Sequence, residues 1–403
     1  SNQKKMLLLL GNWPDQFGRT PLMYCVLADR QECAELLVKA RVDVEKADKN
    51  QRTALHFAAK KGNWRILKLL LAKRASPLQR DVEGITPLHL ATYSTSVRCL
   101  VLLLRHLEPG QVDAQDNHKR TALHWSAFYS HLQHTCLLIK YNSNIGIPDA
   151  DGKTPLHWAA NSTQPSAVLT VDCLLQAAPT DSILNWQDYE GRTPLHFAIA
   201  CGNVTVVEAL IASPGCNVTV HDNLFRTSLH WAALLGQYIV PLLLEKNTSG
   251  IIPSDNQGAT PLHYAAQNNF TETVEAFLQH PSVYDEADLE GRTAFMWAAG
   301  KGNDAILQTL LRLNPELDVD LVDKYGTTAL HAAAFSGHVG TVRLLLKLGA
   351  HIDAVDGMHH TALVRACEMG HKDVVQALIE ELYRVKKKFR DVPKLKRNVP
   401  HYM

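Results

Sequence analysis

Eight histidines recur along the chain, at His56, His89, His124, His157, His196, His230, His263 and His331. A ladder of imidazoles has two obvious chemistries, metal ligation and proton transfer near neutral pH. Neither suits this spacing. Each histidine stands three residues after a threonine and about one repeat from the next histidine, so no two of them are brought together by local sequence. The expected role is a side-chain hydrogen bond that ties a turn to a helix and to the adjoining repeat.

Other reactive patterns are lacking. The sequence holds no H-E-x-x-H, no G-x-x-x-x-G-K-[ST], no G-x-S-x-G and no dinucleotide-binding glycine fingerprint. His131 and His134 in "HLQH" have a ligand-like spacing but no Cys or acidic companions, and are expected at a reversal between helices. Nearly every Ser, Thr, His and Asp belongs to the recurring phrase, whereas catalysis would concentrate departures in one place. The expectation is a protein that is not an enzyme, with no catalytic residues, no metal and no cofactor.

The elements that carry the histidines can be read from "DYEGRTPLHFAIACGNVTVVEALI", Asp188 to Ile211. Asp188 and Gly191 suit a tight turn, Thr193 a helix cap and Pro194 the first helical position. Leu195, Phe197 and Ala198 are expected to face inward, and Gly202 to end the helix. Val206, Val207, Leu210 and Ile211 give a second helix one apolar stripe. The aligned threonines run Thr20, Thr53, Thr86, Thr121, Thr154, Thr193, Thr227, Thr260, Thr293, Thr328 and Thr361, in steps of 33 to 39 residues. That period together with T-P-L-H resembles the ankyrin repeat. The implied fold is all-α, an ankyrin-repeat solenoid of helix-turn-helix units with β-turn fingers, about eleven in number. Residues 1–14 read as the remnant of a preceding helix, 15–381 as the array and 382–403 as a basic tail.

Departures from the phrase point to candidate sites. Positions four and five after the histidine normally show on the concave face, and there Phe128, Tyr129, Leu234, Leu235 and Phe335 are poor choices for a solvated surface. They read either as a partner-binding surface or as groups tucked beneath the turns. An insertion of about six residues precedes Thr193 and places Trp186 near a turn tip, as a contact site or packed on a neighbouring turn. The aromatics that follow the histidines, such as Phe57, Trp125, Trp158 and Tyr264, are expected in the core. Met23, Met296 and Val364 replace the histidine and should pack differently, while Arg365 suits a polar end cap.

Formal net charge is +1, yet Arg384 to Arg397 holds eight Lys/Arg against Asp391 alone. The rest is mildly acidic, which disfavours nucleic acid as a partner of the body. In the tail Leu378, Leu382, Val385 and Phe389 form a stripe backed by Lys386, Lys387, Lys388 and Arg390, a pattern suited to calmodulin, an acidic membrane surface or an import receptor, or to a solvated end. Eight scattered cysteines without C-x-x-C fit a reducing compartment, and no apolar run approaches membrane-spanning length. A cytoplasmic location follows, with the nucleus also open.

The wording of particular copies carries a closer resemblance. "DQFGRTPLMYCVLADR" from Asp15, "DNLFRTSLHWAALLG" from Asp222, "DLEGRTAFMWAAGKG" from Asp288 and "RACEMGHKDVV" from Arg365 resemble the ankyrin-repeat members of the nephrocystin group, from about Asp15 to Leu378. The resemblance implies a scaffold of the primary cilium and its cytoskeleton, linked to left–right asymmetry and nephronophthisis. Its implied partners are a ciliary kinase module, other nephrocystins and dishevelled, with restraint of β-catenin-dependent Wnt signalling. Family members continue into a long region with calmodulin-binding IQ segments, whereas this chain turns into "ELYRVKKKFRDVPKLKRNVPHYM". Calmodulin binding here would therefore rest on the tail alone. The competing expectation is a regulatory ankyrin subunit that masks a partner enzyme.

Overall fold

The structure, a computed structural model, describes residues 11–178, 181–236, 238–247 and 249–390, and the side chains of all of these except 181–182 and 386–390. Among the described residues helices come in eleven inner–outer pairs. These are α1 (Pro21–Leu27) with α2 (Gln31–Lys39), α3 (Ala54–Lys61) with α4 (Trp64–Ala72), α5 (Pro87–Ala91) with α6 (Arg98–Leu104), α7 (Ala122–Phe128) with α8 (Leu132–Lys140), and α9 (Pro155–Ala160) with α10 (Ala167–Ala177). After a short α11 (Asp181–Leu184) follow α12 (Pro194–Cys201) with α13 (Val204–Ala212), α14 (Ser228–Leu234) with α15 (Val240–Lys246), and α16 (Pro261–Gln267) with α17 (Thr271–Leu278). The last three pairs are α18 (Ala294–Lys301) with α19 (Asp304–Leu313), α20 (Ala329–Ser336) with α21 (Val339–Lys347), and α22 (Ala362–Glu368) with α23 (Lys372–Arg390). The chain divides into two compact units, one ending at Asn223 and one starting at Leu224.

Local chemistry sets these boundaries as the phrase suggests. Thr193 caps α12 in extended backbone, Pro194 opens the helix, and Gly202 closes it in the left-handed region at φ 71°. Leu195, Ala198, Val206, Val207, Leu210 and Ile211 are all buried. Pairs of buried alanines on the inner helices, such as Ala159 and Ala160 or Ala333 and Ala334, let neighbouring repeats approach closely.

Each turn is organised by its aspartate. In the second copy Asp48 Oδ1 accepts the N–H groups of Asn50 (2.9 Å) and Arg52 (2.8 Å). Successive turns are then stitched by one backbone bond each. In the first unit these include Val82 N to Asn50 O (3.0 Å), Ala150 N to His118 O (2.9 Å) and Tyr189 N to Asp151 O (2.9 Å). In the second they include Leu289 N to Gln257 O (2.9 Å), Lys324 N to Glu290 O (2.9 Å) and Gly357 N to Tyr325 O (2.7 Å).

The histidines form a second set of ties. Nδ1 of His124 accepts the N–H of Thr121 (3.1 Å), and Nε2 lies 3.0 Å from the Lys153 carbonyl in the next turn. That pattern assigns the proton to Nε2. It repeats at His56, His89, His157, His230, His263 and His331. Where methionine intervenes the tie changes. Met23 Sδ takes the Thr20 N–H, and in the Met296 repeat Asp285 accepts the N–H groups of Ala294 (2.7 Å) and Phe295 (3.2 Å). Burial pushes the Asp285 carboxyl up.

A third set of ties escaped the sequence reading. The residue before several outer helices donates to a carbonyl near the end of the preceding inner helix: Asn63 to Val26 (2.8 Å), Asn203 to Ser162 (2.8 Å), and Asn303 to both Ala266 and Gln267 (2.8 Å each). His131 and His371 occupy the same place against Thr92 and Phe335. The signal was the recurring Gly-Asn dipeptide. Asn303→Asp would turn a double donor into an acceptor facing two carbonyls, at a cost of about 2–3 kcal/mol. Urea unfolding at neutral pH checks this, and an unchanged midpoint would show that the tie is immaterial.

Several expectations need placing or correcting. Residues 1–10 of the stretch 1–14 lie outside the described residues. The 381/382 boundary is no break, since α23 runs through to Arg390 with Leu378 buried and Leu382 and Val385 half-buried. The side chains of Lys386, Lys387, Lys388, Phe389 and Arg390 and all of 391–403 lie outside the described residues. Arg365, in the last inner helix, binds Asp356 Oδ2 through Nε (2.9 Å); the backbone N–H groups of His360 and Met358, together with Arg365, hold the Asp356 carboxyl at about 2 against the opposing effect of burial.

Candidate protein-binding surface

The aromatics after the histidines are not core residues, contrary to their apolar pattern. Phe57 is buried, but Trp125, Trp158, Phe197, Trp231, Tyr264 and Trp297 are only half-buried, and Tyr24 is exposed. The alanines and the histidine of each inner helix fill the space between repeats, so the next position turns to the open face. A hydrogen-bonding aromatic there reaches back to the turn aspartate nine residues earlier. Trp158 Nε1 donates to Asp149 Oδ2 (2.9 Å), Trp297 Nε1 to Asp288 Oδ2 (3.1 Å), and the hydroxyls of Tyr264 and Tyr24 donate to Asp255 and Asp15 (2.6 Å each).

Where the aromatic lacks a donor, arginine replaces it. Arg52 and Arg192 bind Asp48 and Asp188 through Oδ2 and lie over Phe57 (5.0 Å) and Phe197 (4.8 Å). When both donors are present they either share the carboxylate, as Arg292 Nε (2.9 Å) and Trp297 Nε1 (3.1 Å) share Asp288 Oδ2, or one of them is left out. Arg120 holds Asp116 Oδ2 at 2.7 Å, and the Trp125 Nε1 beside it is left buried without a partner. Tyr24 holds Asp15, and Arg19 Nε is the group left over.

On this framework the first unit carries a run of rings across three repeats. Tyr93 meets Tyr129 edge-on (5.4 Å), Tyr129 meets Phe128 (5.3 Å), and Phe128 meets Trp158 (5.4 Å). Phe128 is 43% exposed and Tyr93 51%, while Tyr129 is half-buried, and burial raises its phenol pKa. Cations border the rings: Arg120 lies over Trp125 (5.3 Å) and Trp158 (5.9 Å), and Lys60 over Tyr93 (5.8 Å). The same face opens into a cleft of about 670 Å³, walled by Leu27, Phe57, Lys60, Tyr93, Trp125 and Tyr129.

The other sequence-derived positions lie apart from this cluster. In the second unit Leu234 is half-buried, Leu235 caps α14 and is 40% exposed, and Phe335 in α20 is 47% exposed. Helices α16 and α18 stand between α14 and α20, so these residues do not form one patch. Trp186 is held to the preceding turn by Nε1 donating to the Gly152 carbonyl (3.1 Å). His131 stands at the reversal before α8 and His134 is buried within it, where loss of solvent lowers its pKa to about 4. Among the described residues no three His, Cys, Asp or Glu converge as a metal site, and no helix is long and apolar enough to cross a membrane.

The family model for ankyrin repeats, in sets of three copies, matches at 2–81, 66–149, 135–222, 214–288, 271–356 and 313–391. Inversin of dog is 66% identical over 330 residues, covering 82% of this chain and 30% of the dog protein. Inversin of chicken is 66% identical over 341 residues (84% and 31%), and inversin of zebrafish 63% over 348 (86% and 34%). The chain thus spans about a third or less of the length of these relatives. With the paired helices, the stitched turns and the matched residues running almost from end to end, the chain belongs to the ankyrin-repeat family and is similar to part of inversin.

Proposed function

We propose that this chain is a non-enzymatic protein-binding scaffold of the primary cilium. In this reading it holds a ciliary kinase module and other nephrocystins, and restrains β-catenin-dependent Wnt signalling through dishevelled. The similarity to inversin supports the setting. The observation that carries the binding role is the run Tyr93, Tyr129, Phe128 and Trp158, with Tyr93 and Phe128 exposed and the other two half-buried, because rigid aromatics beside fixed cations on an open face are the usual anchors of a protein interface. Leu235 and Phe335 are second-unit anchors for separate partners.

The test uses purified full chain with each named partner, and the tagged chain in ciliated cells. Phe128→Glu should weaken at least one partner by about 2 kcal/mol, roughly 30-fold, with the helical circular dichroism unchanged. Leu235→Glu and Phe335→Glu should affect a different partner. Unchanged affinity for the kinase module, nephrocystins and dishevelled in all three variants would remove the proposed anchors. Failure of the tagged chain to enter the cilium would remove the setting.

A further inference from the structure

The mildly acidic body hides a basic stretch. Residues 49–148 hold 14 Lys and Arg against five Asp and Glu, while the whole chain stands at +1. Much of the surplus lies on two neighbouring outer helices of the first unit, α4 and α6. No Asp or Glu occurs from Trp64 to Arg80, nor from Gly84 to Leu107. Arg65 and Lys68 of α4, Lys73 and Arg74 just after it, Arg98 of α6 and Arg105 just after it are all exposed. Their side chains form no ion pair with any described residue. Like charges gathered without acids repel one another, so folding alone gives no reason for them.

The repeat gives these cations an order. The buried Ile66, Leu67, Leu70 and Leu71 of α4 match the buried Cys99, Leu100, Leu103 and Leu104 of α6 in register. Arg65 and Arg98 therefore share one position at the start of the two helices. Lys73, Arg74 and Arg105 lie at the ends, about 10 Å further along the axis. A groove of about 290 Å³ runs between the helices from the first group toward the second, lined by Trp64, Val97, Val101 and Leu102 with Lys68 and Arg98. Arg65 and Arg98 both lie over the Trp64 ring, at 5.1 Å and 5.2 Å, which orders their charges beside the groove. An apolar strip with cations at either side complements a peptide that carries an apolar row between acids.

Other polyanions fit less well. Nucleic acid would use the cations and leave the groove empty. A bilayer calls for an apolar group standing clear of the cations, whereas Trp64, Val101 and Leu102 are half-buried. We propose that the outer face of α4 and α6 binds an acidic peptide segment of another protein. Its apolar side chains sit in the groove against Trp64, Val101 and Leu102, and its carboxylates meet Arg65, Arg98 and Arg105. Phe128 and Trp158 belong to inner helices, so this surface is separate from the ring run and the proposal stands independently of the ciliary reading.

The test uses the full chain and a fluorescein-labelled peptide of about 18 residues, five helical turns, with Leu at every third or fourth position and Glu elsewhere. Fluorescence anisotropy should show binding that weakens about tenfold or more in Arg65→Glu/Arg98→Glu/Arg105→Glu, with helical circular dichroism unchanged. That variant should bind the peptide in which Lys replaces Glu more tightly than the native chain does, a gain that simple loss of structure does not produce. Trp64→Ala should weaken the Glu–Leu peptide about fivefold and leave a Glu–Ser version unaffected. Equal binding of the Glu–Leu and Glu–Ser peptides by the native chain, or tighter binding of duplex DNA, would overturn the proposal in favour of a general polyanion surface. Binding of phosphatidylserine vesicles in place of the peptide would overturn it in favour of a membrane. Undiminished peptide binding in the triple variant would move the site to the basic stretch from Arg384 to Arg397, and absence of peptide binding would remove it.

Discussion

As pH falls from 6.5 toward 4 the first unit should lose stability progressively, starting above the range in which ordinary carboxylates titrate. Burial lowers the pKa of His56 and His89, and lowers those of His124, His134 and His157 too, the last three to about 4. Hydrogen bonds donated by Nε2 to the carbonyls ahead, such as that of Arg120 at His89, oppose the shift without cancelling it. In the unfolded chain the same imidazoles take up a proton near 6.5. The unfolded state therefore binds more protons as pH falls, and stability drops with it. It is fully present above pH 6.5 and is gone once the folded pKa is passed. Each histidine contributes a slope of about 1.4 kcal/mol per pH unit between its unfolded and folded pKa, so the three lowered to about 4 together approach about 4 kcal/mol per unit, against a typical total stability of about 5–15 kcal/mol.

Amide exchange of the first unit, followed from pH 8 to pH 4, reads this directly. His157→Met supplies the control, because Met23 already fills the same slot in the first repeat and takes the threonine N–H through sulfur. The variant should be less stable than the native protein at pH 8, where the two imidazole bonds are lost. The difference should shrink or reverse at pH 5, where the native protein bears the cost of keeping one more imidazole neutral. Asp356, held at about 2, and Asp15, lowered chiefly by the Tyr24 hydroxyl, lose their contributions only at lower pH. An acid transition that begins below pH 4 would show that the buried imidazoles accept protons in the folded state.

The turns, the helix pairs and the threonine half of each histidine tie could be read from the sequence because each depends on residues three or four apart, whereas the Nε2 bond to the next turn, 29 residues on at His124, was readable only through the repeat period. Thr193, Pro194, His196 and Gly202 act within one helical turn of their partners or at its end. The aromatic position could not be read in the same way. A Trp at helical period reads as core, and only the aspartate nine residues earlier decides that Trp158 turns toward the open face. Phe128 and Tyr129 were visible as ill-suited to solvent, but their continuity with Tyr93 and Trp158 comes from stacking of residues in different repeats. Leu234, Leu235 and Phe335 share the pattern without sharing a patch, since register within a repeat fixes a face and leaves the neighbours open. Trp186 was readable as lying near a turn, but its bond to Gly152 depends on where the insertion folds.

The remaining large effect concerns the aspartate that fixes this face. Asp149 is 3% exposed, and its Oδ1 accepts the N–H groups of Asp151 (2.9 Å) and Lys153 (2.8 Å) while Oδ2 accepts Trp158 Nε1 (2.9 Å). Asp149→Ala leaves three donors without an acceptor and should cost about 3–5 kcal/mol. Asp149→Asn is the more instructive change. If its oxygen serves the two backbone groups, its amide nitrogen faces the indole N–H, donor against donor; if it flips, the turn loses both bonds. The expected cost is about 2 kcal/mol or more, and about half of that in a Trp158→Phe background, where the opposing donor is gone. The Phe197 repeat supports this logic, since there an arginine serves the second oxygen and the ring asks nothing of the aspartate. Equal costs in both backgrounds would show that Asp149 does not hold the indole. Because Trp158 lies against Phe128, Asp149→Asn should also weaken whatever partner Phe128→Glu weakens, although Asp149 is buried out of reach of any partner. The turn that builds the repeat thereby also sets the order of the surface that binds.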